Sequence, residues 1–264
     1  MTERYAVIGH PVAHSLSPAI HARFAQATGQ DIEYGRIEAP RDGFERAVNE
    51  FRAAGGRGLN VTAPFKQAAF RYCDEVTERA KTAQAVNTLV LGKRVRGDNT
   101  DGIGLVRDLE ANLGLQLRGK SILMMGAGGA AQGVLGSLRD ARIGRLVIAN
   151  RTYAKAVDLA GRFTPAQAAR YEELKGAFDL VINATSTGVS GEALALPAGV
   201  IDKETLAYEI VYGRDTAFLR AARAAGARAS DGMGMLVEQA AESFFIWRGV
   251  RPATRSVLAS LCGG

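Results

Sequence analysis

Between Ser121 and Leu138 the chain carries no charged residue and five glycines: Gly126, Gly128, Gly129, Gly133 and Gly136. The run approaches bilayer-spanning length, but the glycines and Gln132 divide it into a strand, a turn and a helix. Ser121–Met125 reads as a buried strand and Gly128–Leu138 as a helix. The turn Gly126-Ala127-Gly128-Gly129-Ala130-Ala131 fits Gly-x-Gly-x-x-Gly/Ala, with Gly126, Gly128 and Ala131 in the three small positions. The first glycine permits the tight turn, and the second lets a pyrophosphate approach the backbone. The third small residue lets the helix pack on the strand, with the helix N-terminus facing the phosphates. Glycines also mark ordinary turns. Here strand, motif, helix and second strand are all in place, so the segment predicts a dinucleotide site.

The second strand, Leu146–Ala149, selects the dinucleotide. An NAD site usually places Asp or Glu about twenty residues after the glycines, to hold the ribose 2′-hydroxyl. This strand instead runs into Asn150-Arg151-Thr152, with Lys155 one turn later. A carboxylate would repel a 2′-phosphate, whereas a guanidinium offers it paired donors. Cations at a helix N-terminus oppose the helix dipole, so a bound anion accounts for Arg151 better than a solvated helix start does. NADP(H) is expected over NAD.

At 264 residues the chain has room for one large or two modest domains, at roughly 100–200 residues each. From Asp101 onward it alternates. A helix runs to about Leu113; strand 121–125 and its helix follow, then strand Leu146–Ala149, helix Thr152–Arg162 and strand Asp179–Ile182. Strand Leu206–Val211, helix Asp215–Ala225 and a short strand at Arg228–Ser230 complete the series. This alternation predicts a doubly wound parallel sheet. Upstream, strands are expected at Tyr5–Ile8, Ile32–Ala39, Gly58–Val61 and Val86–Leu91, the last in a hairpin turning at Lys93-Arg94. Helices are expected after Ser17-Pro18, with Ser17 as cap, and over Arg41–Ala54 and about 74–84. Gly232–Trp247 is a strong helix, and another follows Pro252.

Several residues invite a chemical reading. In Asn60-Val61-Thr62-Ala63-Pro64-Phe65-Lys66 the chain leaves a strand and turns, placing Lys66 in the first turn of a short helix. Its charge there opposes the helix dipole, a setting suited to proton exchange; the plain alternative is an exposed lysine. Asn87-Thr88 and Asn99-Thr100, followed by Asp101, put short amides, hydroxyls and a carboxylate at strand ends. They suit a polyhydroxylated ligand as well as they suit turns and a helix cap. Ser15 and Ser17 flank a helix start able to bind a carboxylate. Gln239 lies on the inward face of the last long helix and needs a partner there.

Taken in order, these segments resemble shikimate dehydrogenase over essentially the whole chain. The remaining matching segments are Ala85-Val86-Asn87-Thr88, Gly97-Asp98-Asn99-Thr100-Asp101-Gly102, Asn183-Ala184-Thr185-Ser186 and Asp231-Gly232-Met233-Gly234-Met235-Leu236-Val237-Glu238-Gln239-Ala240. The resemblance implies a two-domain α/β protein. Residues 1–100, completed by 237–264, would form an α/β substrate domain, and residues 101–236 a Rossmann-type NADP-binding domain. It implies reversible NADPH-dependent reduction of 3-dehydroshikimate to shikimate, in chorismate and aromatic amino-acid biosynthesis, with hydride moving at C3. Lys66 and Asp101 would be the acid–base pair. Ser15, Ser17, Asn60, Thr62, Asn87 and Gln239 would bind substrate, with Tyr212 nearby. Gly126, Ala127, Gly128, Gly129 and Ala130 would hold the pyrophosphate. Asn150, Arg151, Thr152 and Lys155 would hold the 2′-phosphate, and Thr185, Gly234 and Met235 would also serve the cofactor. Ala63 and Lys155 depart from the family's common valine and arginine, and residues 188–193 match the usual pattern imperfectly. A quinate/shikimate enzyme preferring NAD is disfavoured by Arg151, and a catalytically inactive NADP-binding regulator by Lys66 and Asp101.

Other classes are excluded or unsupported. The net charge of +6 is spread along the chain without a basic tail or run, so no nucleic-acid partner is expected. Cys73 and Cys262 form no Cys-x-x-Cys pair, which favours a reducing, cytoplasmic setting. The N-terminus has no signal-peptide hydrophobic region, and no membrane partner is expected. His10, His14 and His21 lack a matching ligand cluster, so no metal is expected. A monomer or homodimer is equally compatible with the sequence.

Overall fold

The structure, a computed structural model, describes residues 2–185 and 196–262. Ser186 and residues 188–193, singled out above, lie outside the described residues. The chain divides into two compact units, one of residues 1–104 with 237–264 and one of residues 105–236.

The first unit is built on a six-stranded sheet in the order β2-β1-β3-β5-β6-β4. Its strands are β1 (Glu3–Gly9), β2 (Ile32–Glu38), β3 (Gly56–Val61), β4 (Glu75–Val76), β5 (Thr88–Leu91) and β6 (Val95–Asp98). β1 lies parallel to β2 and β3, whereas β5 is antiparallel to both β3 and β6. This mixture has a chemical consequence. The ends of β3 and β6 and the start of β5 meet in one cross-strand row, Asn60–Thr88–Asp98. Helices α1 (Ser17–Thr28), α2 (Phe44–Ala53), α3 (Lys66–Tyr72) and α4 (Glu78–Ala83) connect these strands.

Two expectations change here. The helix expected over 74–84 shrinks to α4, because Glu75 and Val76 leave it to pair with β6. Ser17 is not the cap of α1: Leu16 occupies the cap position, and the Ser15 hydroxyl accepts the Ser17 N–H at 3.3 Å.

The second unit holds an all-parallel sheet in the order β12-β11-β10-β7-β8-β9. Its strands are β7 (Ser121–Met125), β8 (Arg145–Ala149), β9 (Gln167–Ala169), β10 (Leu180–Asn183), β11 (Leu206–Glu209) and β12 (Arg228–Ser230). Strand β9 escaped the sequence reading, since Gln-Ala-Ala has little β-propensity. With it, the order is that of a Rossmann sheet, and β7 sits at the point where strand order reverses.

Both faces of this sheet are buried, and alternate residues serve opposite cores. Ile122 and Met124 pack with Ile148, Ile182 and Leu135 on one face. Leu123 and Met125 pack with Val147, Val181 and Phe218 on the other. The helices are α5 (Asp101–Arg107), α6 (Gly129–Asp140), α7 (Tyr153–Arg162) and α8 (Ala217–Ala224). Helices α9 (Met233–Arg248) and α10 (Arg255–Cys262) end the chain. The expected helix from Asp101 to Leu113 is α-helical only to Arg107 and continues as a π-turn over Asp108–Asn112. No helix among the described residues is long and apolar enough to cross a membrane.

One acid anchors the start of β7. Asp179 accepts from Lys120 Nζ and from the Ser121 N–H and hydroxyl, all at 2.8 Å. Burial pushes its carboxyl up, but these bonds and the Lys120 charge outweigh burial and bring it down to about 2. A carboxyl depressed in the folded state adds stability that is complete above its ordinary value and lost as pH falls through the folded one. Asp179→Asn should therefore lower the stability at neutral pH by about 1 kcal/mol or less after solvent screening, read as a lower thermal midpoint. The difference from wild type should close as pH falls from about 4 to about 2.

Candidate functional site

The first cluster assembles at the Asn60–Thr88–Asp98 end of the mixed sheet. Lys66 opens α3, directly after its cap residue Phe65. Its Nζ lies 2.5 Å from Asp101 Oδ2. The lysine side chain keeps 29% of its exposure and the aspartate only 9%, so the ammonium reaches outward while its partner is enclosed.

Asp101 begins α5 but does not cap it. Thr100 holds that position, its carbonyl accepting the Gly104 N–H, and Asn99 Oδ1 accepts the Asp101 N–H at 3.1 Å. The carboxylate bonds side chains. Its Oδ1 accepts from Asn87 Nδ2 at 2.8 Å. The same amide nitrogen lies 2.9 Å from Thr100 Oγ1 and 3.3 Å from Gln239 Oε1. The partners that Gln239 required are thus side chains of Asn87 and Thr100.

A second branch runs through Asn60. Its Nδ2 donates to Ser243 Oγ at 2.9 Å, and its Oδ1 accepts from the Tyr34 hydroxyl at 2.7 Å. His21 Nε2 is 3.2 Å from the same Oδ1. Ser17 is buried as well. Thr88 and Ser243 close the network, 2.7 Å apart. Asn60, Asn87, Thr88, Thr100, Gln239 and Ser243 are all buried, and a satisfied buried network of this kind fixes side-chain positions. Ser15 and Thr62 border it half-buried.

Tyr34 and Ser243 were missed as members of this cluster, whereas Thr88 was expected among its hydroxyls. Ser243 follows Gln239 by four residues on one face of α9, a polar pair on an apolar helix that could have revealed it. His21 was weighed only as a metal ligand. It is wedged among rings, stacked on Tyr34 at 4.2 Å and edge-on to Phe24 at 5.9 Å. Among the described residues, no three His, Cys, Asp or Glu gather as metal ligands.

The second cluster surrounds the turn after β7. Gly126 has φ +104°, and a Cβ there would lie 2.8 Å from the Ala184 carbonyl oxygen, so only glycine fits. Cβ atoms on Gly128 or Gly129 would meet nothing within 4 Å. Gly128, Gly129 and Ala130 are exposed, and no side chain caps α6. The first-turn N–H groups therefore need an outside acceptor. This is a cradle suited to a pyrophosphate.

Beyond β8, Asn150 Nδ2 donates to the Thr152 carbonyl at 2.9 Å and shapes the turn. Arg151, Thr152 and Lys155 are exposed. Burial pushes the nearby Tyr171 phenol up to about 12, against the opposing charge of Arg151. A cavity of about 250 Å³, lined by Ala127, Gln132, Lys155, Asp158, Leu159 and Arg162, adjoins the turn. Across the strand edge, Thr185 gives its N–H and hydroxyl to Asn183 Oδ1 at 3.1 and 2.7 Å. Gly234 and Met235 are buried in the first turn of α9, and Tyr212 is half-buried after β11. These donors and cations fit a phosphorylated dinucleotide.

Comparisons with known proteins place the chain in one family. The family model for the shikimate dehydrogenase substrate binding domain matches residues 7–89. That for shikimate / quinate 5-dehydrogenase matches 108–190, and that for the shikimate 5′-dehydrogenase C-terminal domain matches 232–262. The chain belongs to the shikimate dehydrogenase family. The shikimate dehydrogenase (NADP(+)) of Methylobacillus flagellatus is 54% identical to it, over 98% of each chain. Among solved structures, the Ael1 enzyme of Pseudomonas putida is 50% identical, with TM-score 0.94 over 98% of each chain. Shikimate 5-dehydrogenase of Thermus thermophilus, in complex with NADP(H) and shikimate, is 36% identical. Its TM-score is 0.90, over 99% of each chain.

Burial pushes the His21 imidazole down to about 3, opposed only by its bond to Asn60. His21 should therefore stay neutral across the working pH range. Its Cε1–H resonance, assigned by its disappearance in His21→Phe, should not move between about pH 8 and pH 5. A midpoint near the ordinary imidazole value would mean that the ring is not enclosed as described.

Proposed function

We propose that this protein is an NADP-dependent shikimate dehydrogenase, interconverting shikimate and 3-dehydroshikimate. The observation that carries the proposal is the Lys66–Asp101 pair, a partly exposed ammonium 2.5 Å from an enclosed carboxylate. The names of the relatives support the substrate and the cofactor.

Lys66 exchanges a proton with the oxygen on C3 of the substrate. Asp101 holds the ammonium through Oδ2 and keeps it directed, while Asn87 holds the carboxylate through Oδ1. An acid–base group placed in this way contributes about 10²–10⁴-fold to rate. Ser15 and Ser17 bind the substrate carboxylate. Asn60, Thr62, Asn87 and Gln239 set the surface against which its hydroxyls lie, with Tyr212 nearby. The N–H groups at Gly128–Ala130 bind the pyrophosphate, Arg151 and Lys155 the 2′-phosphate, and Thr185, Gly234 and Met235 border the nicotinamide. The bound nicotinamide supplies the hydride acceptor or donor for C3. Residues 1–104 with 237–264 thus serve the substrate, and residues 105–236 serve the nucleotide.

Lys66→Ala should lower kcat by about 10²–10⁴-fold while NADP+ still binds by fluorescence titration. Near-wild-type turnover would remove the lysine from the chemistry. Arg151→Ala should raise KM for NADPH far more than KM for 3-dehydroshikimate, since it loses a charge-assisted phosphate contact. An unchanged cofactor KM would refute the 2′-phosphate role.

A further inference from the structure

Asp101 and Gln239 reach their positions by way of a residue that none of the roles above includes. Arg79, in α4, forks onto Asp98, with Nε 2.6 Å from Oδ1 and Nη2 2.8 Å from Oδ2. Its Nη1 and Nη2 each lie 3.2 Å from Glu242 Oε1. Both carboxylates are buried. Thr77 Oγ1 also donates to Asp98, at 2.6 Å, and Arg251 Nη2 to the other oxygen of Glu242, at 2.7 Å.

Each carboxylate leads directly to the proposed machinery. Asp98 Oδ1 accepts the Asn99 N–H at 2.7 Å, and the Asp98 carbonyl accepts the Asn87 N–H at 3.0 Å. Asn99 in turn accepts the Asp101 N–H at 3.1 Å and donates to the Ala85 carbonyl at 3.0 Å. Glu242 is the neighbour of Ser243 and lies one helical turn from Gln239 on α9. One guanidinium therefore joins the turn that delivers Asp101 to the turn of helix that delivers Gln239 and Ser243. Three carboxylate oxygens in fixed directions suit a planar fork and not the point charge of an ammonium.

We infer that Arg79 is a positioning residue, a clamp that holds the Asp98–Asp101 turn and the Gln239–Ser243 turn in one arrangement. The inference rests on the proposed reaction. Buried ion pairs often add little net stability, so a positional role must be read in kinetics.

The test is steady-state kinetics of the full-length protein with shikimate and NADP+. Arg79→Lys keeps a cation and loses the fork. It should lower kcat by about tenfold or more and raise KM for shikimate, as small misplacements do, while KM for NADP+ stays within about twofold and circular dichroism is unchanged. In an Asp101→Asn background the same substitution should cost less than about twofold, because residues acting through one element are not additive. Should Arg79→Lys not fold, Asp98→Asn should produce the same selective pattern. Wild-type values in the variant, a KM for NADP+ rising in step, or full additivity with Asp101→Asn would overturn the clamp alone. Absence of wild-type turnover with shikimate and NADP+ would overturn the proposed reaction and the clamp with it.

Discussion

An aspartate at the first turn of a helix ordinarily spends its carboxylate on backbone N–H groups. Asp101 turns its carboxylate to side chains instead, and Asn87 meets its inner oxygen. The outer oxygen is left for Lys66. Most of the first unit serves this arrangement. Asn87 is turned to donate to Asp101 because the Thr88 hydroxyl and the Thr100 N–H donate to its side-chain oxygen Oδ1, and Thr88 is held by Ser243. Replacing any member would leave a buried polar atom without its partner, at a cost of about 1–3 kcal/mol. The antiparallel insertion of β5 between β3 and β6 makes the row possible, since it brings two strand ends and one strand start to the same edge.

The second unit solves a different problem. A phosphate needs bare N–H groups, and bare N–H groups are tolerated only at an exposed helix start. β7 is apolar on both faces, so it lies in the middle of the sheet, and its C-terminal end falls where strand order reverses. Gly126 makes the turn under the Ala184 carbonyl, and α6 begins at once. The cations of the Arg151 segment then follow from the position of the neighbouring strand β8. The proposed phosphate site is therefore a local product of strand, turn and helix, whereas the Lys66 cluster is a product of long-range pairing.

That difference governs how much could be read from the sequence. β7 and the glycine turn were legible, and β7 has the expected bounds, because apolar runs, glycines and helix starts are local signals. Lys66 at the head of a short helix was legible for the same reason. Ser17 was expected as the cap of α1, but Leu16 holds that position, a difference of a single backbone position. β4 and β9 are short and weak in β-propensity, and they form only because a neighbouring strand offers an edge. Asn60 was legible as a polar residue at a strand end, but its partner Ser243 stands 183 residues away. The Arg79 fork was invisible, because no local pattern distinguishes a guanidinium forked onto buried carboxylates from a solvated one.

The most direct measurement follows the nicotinamide absorbance band of the purified protein with each pairing of shikimate or quinate with NADP+ or NAD+. The account predicts rapid reduction of NADP+ by shikimate, with kcat/KM falling when either partner is exchanged. A preference for quinate with NAD+, or no reduction with any pairing, would contradict it.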